Sequence, residues 1–148
     1  MKILYAEDEQ IKANQVISFL KSMKYNEITL VKSYIETIDA LHKNSFDLLL
    51  LDMSLPLHDS NSFYEDDFET YAGLEVLDEI DRIDLKIKVI IITAFDVLGD
   101  GIEKKTLEQL DNEISKDFSN NYLGIVYYNN STMEWNDKLL KLLESNGM

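Results

Sequence analysis

Apolar positions along this 148-residue chain follow two rhythms. The first is continuous. Five short runs, KILYA (2–6), EITLV (27–31), DLLLLD (47–52), KVIIITA (88–94) and LGIVYY (123–128), are apolar, β-branched or aromatic, and several show no polar alternation. Strands covered on both faces read this way, as a parallel sheet requires. The second rhythm is helical. Val16, Leu20 and Met23 form one stripe, Tyr34, Ile38 and Leu41 a second, Val76, Ile80 and Ile83 a third, Leu107, Leu110 and Ile114 a fourth, and Trp135, Leu139 and Leu142 a fifth. Ser131 with Glu134 three residues on predicts a capping box at the start of the last helix, and Lys32-Ser33 reads as a helix cap after the second run. Strand and helix alternate five times, which predicts an α/β fold: a doubly wound (β/α)5 sandwich on a five-stranded parallel sheet. Residues 1–148 read as a single domain without internal repeat. One segment breaks the pattern. LHDSNSFYEDDFETYA, 57–72, is acidic and aromatic without periodicity, and it makes the connection after the third run longer than the usual ~2–6 residues.

Composition narrows the function. Fourteen basic residues against 28 acidic give a formal net charge of -14. Such a field repels phosphate backbones and anionic lipid, so nucleic acid and membrane are excluded as direct partners, and basic proteins and divalent cations are favoured. There is no cysteine, hence no disulfide framework and no thiol chemistry. No apolar run approaches the ~20 residues of a membrane span, and the acids of MKILYAEDEQ stand where a signal peptide would continue its apolar stretch. The expected location is cytoplasmic.

Chemistry in an open parallel sheet gathers beyond the carboxyl ends of the strands. The first run ends in Glu7-Asp8-Glu9, the third in Asp52, the fourth in Thr93-Ala94 and the fifth in Tyr127-Tyr128-Asn129. With the first and third strands adjacent, Glu7, Asp8 and Asp52 crowd together, and carboxylates so placed do not all stay ionised unaided. A hard divalent cation such as Mg2+ relieves that conflict and keeps coordination positions for water or phosphate oxygen. The arrangement suits phosphoryl transfer, with Asp52 as nucleophile and Thr93 hydrogen-bonding a phosphoryl oxygen. The plainer alternative is that Asp8 or Glu9 caps the following helix and Thr93 is an ordinary strand-end hydroxyl.

The order of these features resembles the receiver domain of two-component response regulators, a flavodoxin-like fold. ILYAEDEQ is similar to that family's first strand with its acid pair, LLLLDMSLP to its phosphoacceptor strand, VIIITAF to the strand bearing the switch hydroxyl, and GLEVLDEI, from Gly73, to the start of its third helix. The resemblance implies that Asp52 accepts a phosphoryl group from a sensor histidine kinase or phosphotransfer protein. It implies that Asp8, Asp52 and the backbone carbonyl of Ser54 ligate Mg2+, with Glu7 reaching the ion through water. Thr93 then reports the phosphoryl group, and the signal passes by contact with a downstream protein. Catalysis is limited to phosphorylation and dephosphorylation of Asp52 itself.

Two departures stand out. The family usually carries a Lys at the end of its fifth strand, and here Tyr127 falls at that position, with Ile125 at the aromatic switch position. Tyr donates a hydrogen bond but brings no positive charge. Lys104 or Lys105 is a candidate substitute. The second departure is the 57–72 insertion, where Phe63, Tyr64, Phe68 and Tyr71 interleave with acids: either a solvated loop with its rings tucked inward, or an added docking surface beside Asp52. The rival functions are a degenerate receiver that binds partners independently of phosphorylation and, further off, a phosphatase with an aspartyl nucleophile. The latter wants an Asp where Ser54 stands. A flavin phosphate would be repelled by Glu7-Asp8-Glu9.

Overall fold

The computed structural model describes residues 1–58, 72–94, 97–98 and 105–148. In chain order the elements are β1 (Lys2–Ala6), α1 (Gln10–Ser22), β2 (Glu27–Val31), α2 (Tyr34–Lys43), β3 (Leu48–Leu51), α3 (Ala72–Arg82), β4 (Lys88–Thr93), β5 (Val97–Leu98), β6 (Lys105–Thr106), α4 (Leu107–Asp117), β7 (Tyr122–Tyr127) and α5 (Glu134–Ser145). The five predicted strands form one parallel sheet in the order β2-β1-β3-β4-β7. The runs at 2–6 and 27–31 match β1 and β2 to the residue, and the boundaries of the other three are trimmed or shifted by one position. The short antiparallel pair β5–β6 was not expected. Two-residue strands carry no periodicity to read.

The runs are apolar on both faces because both faces are covered. Ile3, Tyr5, Leu48, Leu50, Ile90, Ile92 and Val126 pack against Ala13, Val16 and Leu20 of α1 and Trp135, Leu139 and Leu143 of α5. Leu4, Ala6, Leu49, Leu51, Val89, Ile91 and Ile125 face the other way, against Leu41 of α2, Val76, Leu77 and Ile80 of α3, and Leu110 and Ile114 of α4. β3 lies at the centre of the sheet, and all four of its leucines are fully buried.

Helix caps account for the local turns. Ser33 is buried, and its hydroxyl accepts from the Glu36 N–H to start α2, as expected. The box predicted at Ser131 and Glu134 does not form. The Ser131 hydroxyl and N–H both donate to Asn129 Oδ1 at 2.7 and 3.0 Å, and α5 begins after Met133 without a side-chain cap. Asn129 offers the nearer acceptor and draws Ser131 into a turn. The capping box belongs to α4 instead, with Thr106 and Gln109 satisfying each other's N–H groups.

The turn after β3 is tied down on two sides. The N–H groups of Tyr34 and Ile35 at the start of α2 donate to the carbonyls of Pro56 and Leu57 at 2.9 and 3.2 Å, and Gly73 N–H donates to Met53 O at 3.1 Å. A Cβ on Gly73 would stand 3.0 Å from Asp52 O and from Met53 Cα, both backbone atoms. Only glycine lets α3 approach the turn so closely. Gly73→Ala is therefore expected to cost about 1–3 kcal/mol, the range for overpacking a rigid contact, read as a lower midpoint in urea unfolding with unchanged slope.

Candidate functional site

The sheet's register brings the acids together. The last paired rows join Ala6 of β1 to Leu51 of β3 and Leu51 to Ile91 of β4. One step further, Glu7, Asp52 and Ile92 stand abreast on three adjacent strands, and Asp52 N–H donates to Ala6 O at 3.0 Å. Strand side chains alternate between faces. Glu7 follows Tyr5, and Asp52 follows Leu50, so both belong to the α1 side. Ligand atoms of Glu7, Asp8 and Asp52 all lie within 4.8 Å of one another. Glu7 and Asp52 are buried, Asp8 partly so. These three residues, with Lys12, Ser54 and others, line a small cavity of about 150 Å3. A larger groove of about 550 Å3 between α1 and the start of α5, at Phe19 and Trp135, contains no ionisable side chain and stands apart from these acids.

The residue that sequence reasoning missed is Lys12. It lies in the first turn of α1, is 1% exposed, and reaches beneath the acids. Its Nζ lies 2.5 Å from Glu7 Oε1 and 3.3 Å from Asp52 Oδ1 and donates to Ile92 O at 2.8 Å. It thus spans the whole Glu7–Asp52–Ile92 row. The Tyr128 ring lies over the same ammonium, 5.8 Å from centroid to Nζ, within cation–π range. A signal for this was present. Lys12, Val16 and Leu20 share one helical stripe, and the residue beside Lys12, Ile11, is 63% exposed.

Electrostatics express the crowding. Burial first, then the charge of Asp52, push the Glu7 carboxyl up to about 8, against the lowering pull of Lys12. Burial and Asp52 likewise raise Asp8. Burial alone would lower the Lys12 ammonium, but Asp52 and Glu7 outweigh it and leave it raised, so Lys12 is charged at neutral pH. Three carboxyl groups facing one ammonium leave unbalanced negative charge. All the acidic donors are oxygen, which is the ligand chemistry of a hard cation such as Mg2+ rather than of a soft metal. The Ser54 hydroxyl, buried beside them, has no hydrogen-bond partner among the described residues.

The remaining expected residues fall as follows. Thr93 closes β4 and is fully buried, next to Ala94, which lines the cavity. Tyr127 does not face the acids. It is 41% exposed and lines a groove with Leu107, Glu108 and Lys138. The expectation that Tyr127 holds the last-strand position beside Asp52 is therefore corrected to Tyr128. Alternation puts Tyr128 with Val126 on the α1 side, where its hydroxyl bonds Gln15 and its ring covers Lys12. Ile125 is buried on the opposite face. Lys105 lies in β6, while Lys104 and the insertion aromatics Phe63, Tyr64, Phe68 and Tyr71 lie outside the described residues.

A doubly wound sheet with an acid cluster at the ends of its first and third strands defines a class, and comparison with known proteins agrees. The response regulator receiver domain profile matches residues 3–125. The chain belongs to that family, whose members serve two-component signalling. It is 29% identical over 145 residues to the Detocs response regulatory protein DtcB of Enterobacter cloacae, covering 95% of this chain and 97% of DtcB. It is 25% identical over 138 residues to the uncharacterized protein y4jR of Sinorhizobium fredii, covering 91% of each. Among solved structures, a CheY-like receiver domain from Methanospirillum hungatei superposes with a TM-score of 0.64 at 17% identity, over 98% of this chain and 91% of that one. The response regulator TrrA of Thermotoga maritima, solved in complex with Mg(2+)-BeF, superposes with a TM-score of 0.58 at 20% identity, over 97% of this chain and all of TrrA. These structural likenesses establish the shared fold. No described helix is long and apolar enough to cross a membrane.

Proposed function

We propose that this chain is a phosphoacceptor receiver, a single unit over 1–148, that takes a phosphoryl group onto Asp52 from a phosphohistidine of a sensor kinase or phosphotransfer protein. It then signals by protein–protein contact in the cytoplasm. The observation that carries the reading is the convergence of Glu7, Asp8 and Asp52 within 4.8 Å at the carboxyl edge of the sheet. Asp8, Asp52 and the Ser54 carbonyl would hold Mg2+, with Glu7 contributing through water. The bound ion would neutralise charge on the phosphoryl oxygens.

The chain's own residues supply the rest. An Asp52 carboxylate oxygen attacks phosphorus, an acyl phosphate O–P bond forms, and the P–N bond to the donor imidazole breaks. The electron pair leaves with the imidazole, which takes up a proton. Buried leucines on both faces of β3 fix the direction of attack. Thr93, at the end of the neighbouring β4, would donate its hydroxyl to a phosphoryl oxygen. The transfer modifies the protein itself and needs no turnover of a separate substrate.

Intact-mass measurement after incubation with acetyl phosphate and Mg2+ tests this. A phosphate-sized adduct that fails to form in EDTA is expected. A chain that never gains the adduct, with or without Mg2+, is instead a receiver-like module that binds its partners independently of phosphorylation.

A further inference from the structure

Lys12 has a role that its ion pairs alone do not explain. Its ammonium carries three N–H groups. One is donated to Ile92 O at 2.8 Å and Glu7 Oε1 sits 2.5 Å from the nitrogen as an ion pair, whereas the contact to Asp52 Oδ1 is the longest of the three, at 3.3 Å. That third contact points at the oxygen pair on which the phosphoryl group would form. Conversion of a carboxylate to an acyl phosphate adds about one negative charge beside Asp52, inside a cluster that already has excess negative charge. Among the described residues lining the cavity, Lys12 is the sole cation. The last strand contributes none: Tyr128 occupies the α1 side there, with its ring over the Lys12 ammonium.

We propose that Lys12, delivered from the first turn of α1 rather than from the last strand, is the phosphoryl-contacting cation of this receiver. It is anchored by Glu7 and Ile92 O while its third N–H turns from Asp52 to a phosphoryl oxygen. The inference rests on the phosphoacceptor reading of Asp52. It assigns to a helix residue the positive charge that Tyr127 and Tyr128 cannot bring, and it gives Tyr128 a defined task, roofing the ammonium against water.

The test compares wild type with Lys12→Met on two readouts in excess acetyl phosphate. Adduct formation by intact mass is expected to slow on the order of a hundredfold, the usual consequence of removing one charge-stabilising donor. Mg2+ affinity, titrated through the single tryptophan, Trp135, whose ring packs 5.4 Å from Tyr128, is expected to hold or rise, because a competing positive charge is gone. The opposed signs separate this role from a structural one, which would lower both. Lys12→Met/Tyr128→Lys returns the ammonium from the residue that follows β7 and is expected to recover adduct formation. If Lys12→Met fails to fold by circular dichroism, Lys12→Gln carries the same comparison, since it keeps a polar hydrogen-bonding side chain at the buried position without the charge. A Lys12→Met chain phosphorylated at the wild-type rate, or one that loses Mg2+ binding and adduct together, overturns this inference alone. A wild-type chain that takes no phosphoryl group overturns the functional reading and this inference with it.

Discussion

Asp52→Asn should abolish the phosphate-sized adduct from acetyl phosphate at every Mg2+ concentration while the chain stays folded. An amide is no nucleophile at phosphorus, and no other described carboxylate occupies a central strand with apolar packing on both faces. The fold should survive because the substitution is nearly isosteric and Lys12 keeps Glu7 at 2.5 Å and Ile92 O at 2.8 Å. Two further changes should accompany the loss. The cluster would fall from three carboxyl groups to two, so Mg2+ should bind at least about tenfold more weakly, a loss of ~1.4 kcal/mol. The charge of Asp52 is the second cause of the elevated Glu7 carboxyl, so that group should titrate lower in the variant. Intact mass, calorimetric Mg2+ titration and a pH series would read the three effects. A phosphate adduct of wild-type abundance in Asp52→Asn would remove Asp52 from the chemistry altogether.

The second large effect concerns pH and metal together. Glu7 is raised in the folded chain from 4.5 to about 8, chiefly by burial. In the unfolded chain it ionises near its ordinary value. Between those limits the folded state binds more protons than the unfolded one, so stability must fall as pH rises. Asp8, raised for the same reasons, acts in the same direction. Metal-free protein is therefore expected to be most stable below about pH 5 with respect to this site and to lose stability on the order of a kcal/mol per pH unit up to about 8. Mg2+ should reverse the trend. It binds the ionised carboxylates, so its affinity, and the rise in melting temperature it produces, should grow as pH climbs through the same range. Melting curves at pH 5, 6.5 and 8.5, with Mg2+ and with EDTA, would decide the matter. Metal-free curves independent of pH would mean that Glu7 is ionised throughout and that Lys12 alone balances it.

Strand runs such as DLLLLD and KVIIITA declared themselves because nothing polar interrupts them, and a sheet covered on both faces needs that. Glu7, Asp8 and Asp52 were legible for the same reason: acids at strand ends stand out against apolar runs. Lys12 was hidden because lysine on an amphipathic helix reads as a solvated residue, and only its stripe with Val16 and Leu20 betrays the burial. The choice between Tyr127 and Tyr128 turned on face parity. The run LGIVYY is apolar on both sides, so composition could not settle it, and register with Thr93 was required. Ser131 and Glu134 had the right spacing for a cap but lost Ser131 to Asn129, a competitor two residues away. The β5–β6 pair is too short for any pattern to exist.

The central position of β3 has one more consequence. Its backbone amides are paired on both sides, to β1 and to β4, and its side chains have no exposed face. A local fluctuation that frays β2 or β7 at the sheet's margins leaves β3 untouched, so deuterium should enter at Leu49 to Leu51 only when the entire chain opens. The residue proposed to receive the signal is thus mounted on the slowest-exchanging part of the molecule.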